Sequence, residues 1–179
     1  MPLPVVVDQR LPRWLLLVTG ATGYLGSALV HLAVRSGYAV RAVVRDARRA
    51  AELLPAGVDV VVTDLADAGG LERAAHGCSG VVHLAGSVGG SAEELRRANV
   101  DGTAAVLAAA TAAGVERFVF TSSAAAVIDA SGLVAERPVG PPALTDPYSV
   151  SKAAAEDLVL AAAGNGLAAV VVGPVNIYG

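Results

Sequence analysis

One short stretch limits the folds open to this chain more than any other. Gly20-Ala-Thr-Gly23-Tyr-Leu-Gly26 stands between an apolar run at 14–19 (WLLLVT) and a segment at 27–36 that reads as a helix stopped at Gly37. Strand, glycine turn and helix in that order form the opening unit of a nucleotide-binding α/β sheet. Gly20 permits a tight turn without a Cβ clash. Gly23 lets the backbone approach a pyrophosphate, and Gly26 lets helix and strand pack closely. The helix start then offers N–H groups and a positive dipole end to the phosphates. The plain alternative is a strand-to-helix turn with no ligand.

The same alternation runs on. Further strands are expected at 39–44, 58–63, 80–85, 115–122 and 167–172, and further helices at 48–54, 71–75, 92–113 and 148–163. Residues 129–147, rich in Pro, Gly, Asp and Ser, read as a long loop. Residues 1–13, with three prolines, read as a loose leader in which Val5–Val7 is a candidate short strand. The prediction is one α/β domain over 14–179, a Rossmann-type doubly wound parallel sheet of about six strands with helices on both faces. Composition agrees: 37 alanines and 29 valines suit buried parallel strands under close-packed helices. A hydrophobic share of 54% against 16% charged excludes a disordered chain.

Other classes fall away on charge and residue supply. A net charge of −3 gives no general basic field, so neither nucleic acid nor an anionic membrane is expected as a partner. A single cysteine, Cys78, excludes an intrachain disulfide and a thiolate zinc cluster, and is expected to be inert. His31, His76 and His83 are too scattered to imply a metal, and His83, inside a strand pattern, reads as structural. No apolar run reaches the 18 or so residues of a membrane span. The start lacks a basic region and carries Asp8, so no signal peptide is expected and the location read is cytoplasmic.

The second strand decides between dinucleotides. An NAD enzyme usually ends it with an acid for the ribose 2′-hydroxyl. Here Val44 holds that place, Arg45 follows, and Arg48 and Arg49 lie close behind. A guanidinium suits a 2′-phosphate through charge-assisted bonds, so NADP(H) is preferred, with NAD(H) possible. The alternative makes Arg45 a solvated charge and Asp46 the ribose ligand.

Tyr148-Ser-Val-Ser-Lys152 places a phenol and an ammonium one helical turn apart, on one face. A phenol ordinarily titrates near about 10 and is a poor base at neutral pH. A neighbouring cation stabilises the phenolate. A hydroxyl from a strand end is the expected third member, and Ser123 follows the fifth strand, with Ser122 as its rival. The plain reading leaves Tyr148 at the loop end and Lys152 in solvent.

Together these motifs resemble the extended short-chain dehydrogenase/reductases, the NAD-dependent epimerase/dehydratase family, over roughly 14–179. The resemblance also rests on Asp64-Leu65, His83-Leu-Ala-Gly86, Asn99-Val-Asp-Gly-Thr103, Phe120-Thr-Ser-Ser123 and Gly173-Pro-Val-Asn-Ile-Tyr-Gly179. It implies that Thr22, Gly23, Tyr24 and Leu25 line the diphosphate, Asp64 and Leu65 meet the adenine, and Leu84, Ala85 and Gly86 run beside the nicotinamide ribose. It implies Pro174 and Val175 near the carboxamide, Ser123, Tyr148 and Lys152 as the catalytic triad, and Lys152 also on the ribose. It implies a homodimer through helices 92–113 and 148–163.

Family members that dehydrate sugar nucleotides carry Asp-Glu where Ser122-Ser123 stand. Many epimerases carry Val-Tyr-Gly where this chain has Val127-Ile-Asp129. Val40-Arg-Ala-Val-Val-Arg-Asp46 looks like the dihydroflavonol-reductase and 3β-hydroxysteroid-dehydrogenase side. The first reading is therefore an NADP(H)-linked oxidoreductase for a small carbonyl or secondary-alcohol substrate. An NAD-dependent sugar-nucleotide epimerase and a redox-silent dinucleotide sensor are the alternatives. Members are much longer and build the substrate pocket from a C-terminal part, so that lobe is expected to be absent here.

Overall fold

A computed structural model of the chain describes residues 14–128 and 144–178. The expected leader at 1–13 and most of the expected loop, 129–143, lie outside the described residues. Among the described residues six strands form one sheet: β1 (Leu15–Thr19), β2 (Ala39–Val44), β3 (Asp59–Val62), β4 (Gly80–His83), β5 (Arg117–Thr121) and β6 (Ala169–Val172). Every pairing is parallel and the order is β3-β2-β1-β4-β5-β6. The chain runs outward from β1 to β3, returns, and runs outward the other way. The carboxyl ends of β1 and β4 therefore flank a topological switch point, where such sheets bind ligands.

The apolar runs are continuous because both faces are covered. Leu17, Val43, Val81, Phe118 and Phe120 face α3 (Ala68–Ala75), α5 (Gly102–Ala112) and α6 (Pro147–Gly164). Val18, Val40, Ala42 and Val44 face α1 (Tyr24–Arg35) and α2 (Ala47–Leu53). Leu17 and Val18 enter opposite cores, as the period of two requires. Cys78 is buried, donates to the Ala74 carbonyl at 3.3 Å, and has its thiol pKa raised by burial. No helix among the described residues is long and apolar enough to cross a membrane.

Two helices differ from expectation in ways that matter for the site. The first begins at Tyr24, not at residue 27: Gly23 takes the extended backbone of an N-cap (φ −78, ψ 173). The glycine motif therefore includes the first helical turn. The helix expected at 92–113 is three pieces: α4 (Ala92–Leu95), a π-helical segment (Arg96–Asp101) and α5. Such widened turns often mark functional sites, and this one places Asn99 in the interior, 1% exposed.

Candidate active-site cleft

The turn after β1 is shaped by its glycines. Gly20 is in the left-handed region (φ 70), and a Cβ there would stand 2.7 Å from the Ala85 nitrogen. A Cβ on Gly26 would collide with the Gly20 carbonyl, and one on Gly23 would stand 3.1 Å from that oxygen. The backbone thus folds against itself where only glycine fits. Four other helix starts are closed by side chains, with Asp46 capping α2, Asp67 α3, Ser91 α4 and Asp146 α6, while α5 continues directly from the π-helical segment. The start of α1 carries no side-chain cap. Uncapped N–H groups in a glycine cradle are what a phosphate binds.

At the end of β2, Arg45, Arg48 and Arg49 are exposed. Among the described residues no ion pair engages their side chains. Asp46, the rival ribose ligand, instead accepts from the Arg48 and Arg49 amides at 2.8 and 3.3 Å. Val44, where an NAD-type acid would stand, is buried. Asp64 is exposed and accepts from the Ala66 amide at 2.9 Å. Leu65 is half-buried and packs against the core beside Gly102.

A cleft of about 310 Å³ opens at the carboxyl ends of the strands. It brings together Ser123, Tyr148 and Lys152 with Leu25, Leu84, Gly86, Pro174 and Val175. The other residues singled out in the sequence (Gly20, Thr22, Gly23, Tyr24, Gly26, Arg45, Asp64, Leu65 and Ala85) do not line it. Of these, the glycine turn, Arg45 and Asp64-Leu65 follow β1, β2 and β3 in the sequence.

Asp146 starts α6 by accepting from Ser149 at both the amide (3.0 Å) and the hydroxyl (2.6 Å). Those bonds hold its carboxyl below the usual range. Lys152 is the one lysine of the chain. It is not in solvent: it is 6% exposed, donates to the Thr121 carbonyl at 2.7 Å, and lies 4.4 Å from the centre of the Phe120 ring. Burial pushes its pKa down to about 8, with the Glu156 charge pulling it up.

Both candidate serines reach the cleft. Ser123 is half-buried, and its Oγ accepts from the Ala125 amide at 3.2 Å. Ser122 is 4% exposed, and its Oγ has no partner among the described residues.

A set of polar residues that the sequence reading left without roles holds the cleft's parts in register. Asn99 Oδ1 accepts from the Ser87 amide at 2.7 Å, and its Nδ2 donates to the Ser87 carbonyl and to Ser151 Oγ, each at 2.9 Å. Ser151 Oγ in turn donates to the Tyr148 carbonyl at 2.8 Å. The loop after β4 is thereby fastened to the helix that carries Tyr148 and Lys152. The signal was present: Asn99 and Thr103 fall in line with Leu95, Val106 and Ala110 at helical spacing, two polar residues on the buried face. A continuous helix, however, hides the widened turn.

Comparison with known proteins places this geometry. The family model described as the NAD dependent epimerase/dehydratase family matches residues 16–179. A Synechocystis protein provisionally named dihydroflavonol 4-reductase is 40% identical, over 88% of this chain and 47% of its own length. A Stigmatella aurantiaca protein named 4-hydroxy-2-methyl-3-oxo-4-farnesyl-3,4-dihydroquinoline-1-oxide ketoreductase is 38% identical, over 90% and 50%. The solved structure of MoeE5 with UDP-glucose and NAD superposes with a TM-score of 0.73 at 37% identity, over 87% of this chain and 52% of that one. The chain spans about half the length of these relatives. With a six-stranded doubly wound sheet, a glycine-built turn at its switch point and a match over nearly all its length, the chain belongs to the NAD dependent epimerase/dehydratase family.

Proposed function

We propose that this chain is the cofactor-binding and catalytic half of an NADP(H)-dependent oxidoreductase acting on a carbonyl or secondary alcohol. One observation carries the reading. Tyr148, Lys152 and Ser123 converge on a cleft at the switch point of the sheet, next to Leu25 in the first turn of α1. The residues fit a dinucleotide: the glycine turn packs its backbone where only glycine fits, beside the uncapped start of α1, and the Ser122 hydroxyl is buried at the cleft without a partner among the described residues.

When bound, the nicotinamide supplies or takes up the hydride. The chain's residues manage the proton and the orientation. The Ser123 hydroxyl orients the substrate oxygen. The Tyr148 phenol gives that oxygen its proton on reduction and takes it back on oxidation. Lys152, with a pKa of about 8, remains a cation at neutral pH, and a cation one turn along the helix stabilises phenolate character. Its bond to the Thr121 carbonyl fixes the ammonium against the end of β5.

Arg45 supports NADP(H), since its guanidinium is unpaired within the described residues while Asp46 is engaged as a cap. Titration of the chain with NADPH and with NADH tests this. NADPH is expected to bind more tightly, and Arg45→Ala to cut that preference about tenfold, the worth of one charge-assisted bond. Tyr148→Phe in the longest natural form of the protein is expected to lower turnover at least about 100-fold without changing nucleotide affinity. Tighter NADH binding favours a second reading, an NAD-linked sugar-nucleotide epimerase, which MoeE5 with UDP-glucose and NAD supports. Unchanged turnover in Tyr148→Phe favours a dinucleotide sensor.

A further inference from the structure

His83 ends β4 with no exposed surface, its ring 5.7 Å from Phe120 and 6.2 Å from Phe118. An imidazole among phenyl rings is costly unless both nitrogens are bonded. Here both are. Nδ1 is 2.6 Å from Thr19 Oγ1, and Nε2 is 3.0 Å from Thr103 Oγ1.

The proton positions follow from the neighbours. Thr103 Oγ1 is 2.6 Å from the Asn99 carbonyl, which only accepts, so the threonine's single proton points there. Thr103 must then accept from His83, and Nε2 carries the hydrogen. Nδ1 is left bare and accepts from the Thr19 hydroxyl. Thr19 Oγ1 in turn accepts from the Ala85 amide at 3.3 Å. Every donor and acceptor is used once, in one direction. A doubly protonated ring would point a second N–H at Thr19 and leave the threonine's proton without an acceptor. Burial and the Lys152 charge oppose that form, and they push the His83 pKa down to about 3.

The ends of the chain of bonds are significant. Thr19 precedes Gly20, the start of the glycine turn. Thr103 bonds the backbone of Asn99, whose side chain holds Ser87 and Ser151 beneath Tyr148. We propose that His83, fixed as the neutral Nε2–H tautomer, is a positioning residue that couples the glycine turn to the helix bearing Tyr148 and Lys152. This coupling rests on the dinucleotide reading above; the tautomer does not.

Two measurements test it. The first is imidazole nitrogen NMR of the 179-residue chain labelled at its three histidines, with His83 assigned by its loss in His83→Asn. The expected spectrum shows Nε2 protonated, Nδ1 bare and no titration between about pH 5 and 8, the range in which an ordinary histidine titrates. An Nδ1–H tautomer, or titration in that range, overturns the proposal.

The second separates the two bonds. Asparagine mimics the Nδ1 edge and glutamine the Nε2 edge, while phenylalanine refills the space with neither. In variants that remain folded, His83→Phe is expected to weaken NADPH binding about tenfold, the worth of one buried hydrogen bond. His83→Asn, which keeps the bond to Thr19, is expected to stay within about twofold. The Lys152 titration, read by carbon NMR after reductive methylation, is expected to move in His83→Asn and to be restored in His83→Gln. A packing role alone predicts the reverse order, with phenylalanine mildest, and that order sinks the coupling. If the wild-type chain binds no dinucleotide, the functional reading fails, while the tautomer and the Lys152 titration still decide the role of His83.

Discussion

The turn after β1 and the head of α6 are held by different means. The turn is made of backbone. Its shape comes from side chains that are missing at Gly20, Gly23 and Gly26, and its charge from the uncapped start of α1. The head of α6 is made of side chains that are present. Asp146 caps it, Asn99 and Ser151 brace it, and the Thr121 carbonyl fixes Lys152. A site built by subtraction tolerates no added atom. A site built from hydrogen bonds fails by degrees, one partner at a time.

The largest expected effect tests the first half of that contrast. Gly26→Ala drives a methyl into the Gly20 carbonyl, where backbone meets backbone and nothing flexible gives way. We expect a loss above about 4 kcal/mol, or no folded protein, by urea denaturation. Gly57→Ala is the control. Gly57 is also left-handed (φ 88) but has open space around it, so only conformational strain applies, about 1 kcal/mol. Equal losses would show that the turn's glycines matter for φ and not for close packing.

Next comes the bracing on the other side. Asn99→Leu keeps the volume but leaves the Ser87 amide, the Ser87 carbonyl and the Ser151 hydroxyl short of a partner. A cost of about 3 kcal/mol is expected in the same denaturation experiment, since these groups sit in or beside the core. A cost under about 1 kcal/mol would mean that water replaces the amide and that the brace is dispensable.

This contrast also sets what was legible beforehand. A turn defined by missing side chains shows directly in the letters, and Gly20, Gly23 and Gly26 stand where the spacing placed them. The strands were legible because β1, β2 and β4 are near-continuous apolar runs, the pattern left by burial on both faces. Tyr148 and Lys152 were legible because one helical turn separates them. The bracing was not, because it depends on contacts across 64 residues (Thr19 with His83) and 52 residues (Asn99 with Ser151). It also depends on a widened helical turn that Arg96–Asp101 gives no local reason to expect. The early start of α1 was missed for a related reason: an N-cap without a side-chain bond leaves no capping residue to read.

The buried ammonium offers a prediction in pH. Its pKa of about 8 lies below the ordinary lysine value of 10.5. The folded protein therefore releases this proton first, and between those two values the unfolded chain holds more protons. Stability from this group accordingly rises with pH across that window and is flat below it, where the buried charge carries its full cost. Lys152→Met removes this rise, so the difference between the two proteins' stability–pH curves is expected to slope from about pH 8 upward. Because the chain has one lysine, methylation of the amine gives its pKa directly by NMR. A value near 10.5 would show the ammonium in water and remove the brace at Thr121.

The smallest effect is the most discriminating. Ser122 directly follows β5, its amide donating to the Val172 carbonyl at 2.8 Å and its hydroxyl, though buried, bonding nothing among the described residues. A buried hydroxyl without a partner costs stability, so Ser122→Ala is expected to leave the free protein as stable or up to about 1 kcal/mol more so. If the missing partner is the ligand, the same substitution weakens dinucleotide binding about three- to tenfold, and the two effects have opposite sign. Asn99→Leu, by contrast, is expected to lower stability first and binding only as a consequence. A Ser122→Ala protein that is less stable would place the hydroxyl with the brace. One that gains stability and loses affinity would place it with the cradle, as a part of the fold kept for the molecule it holds.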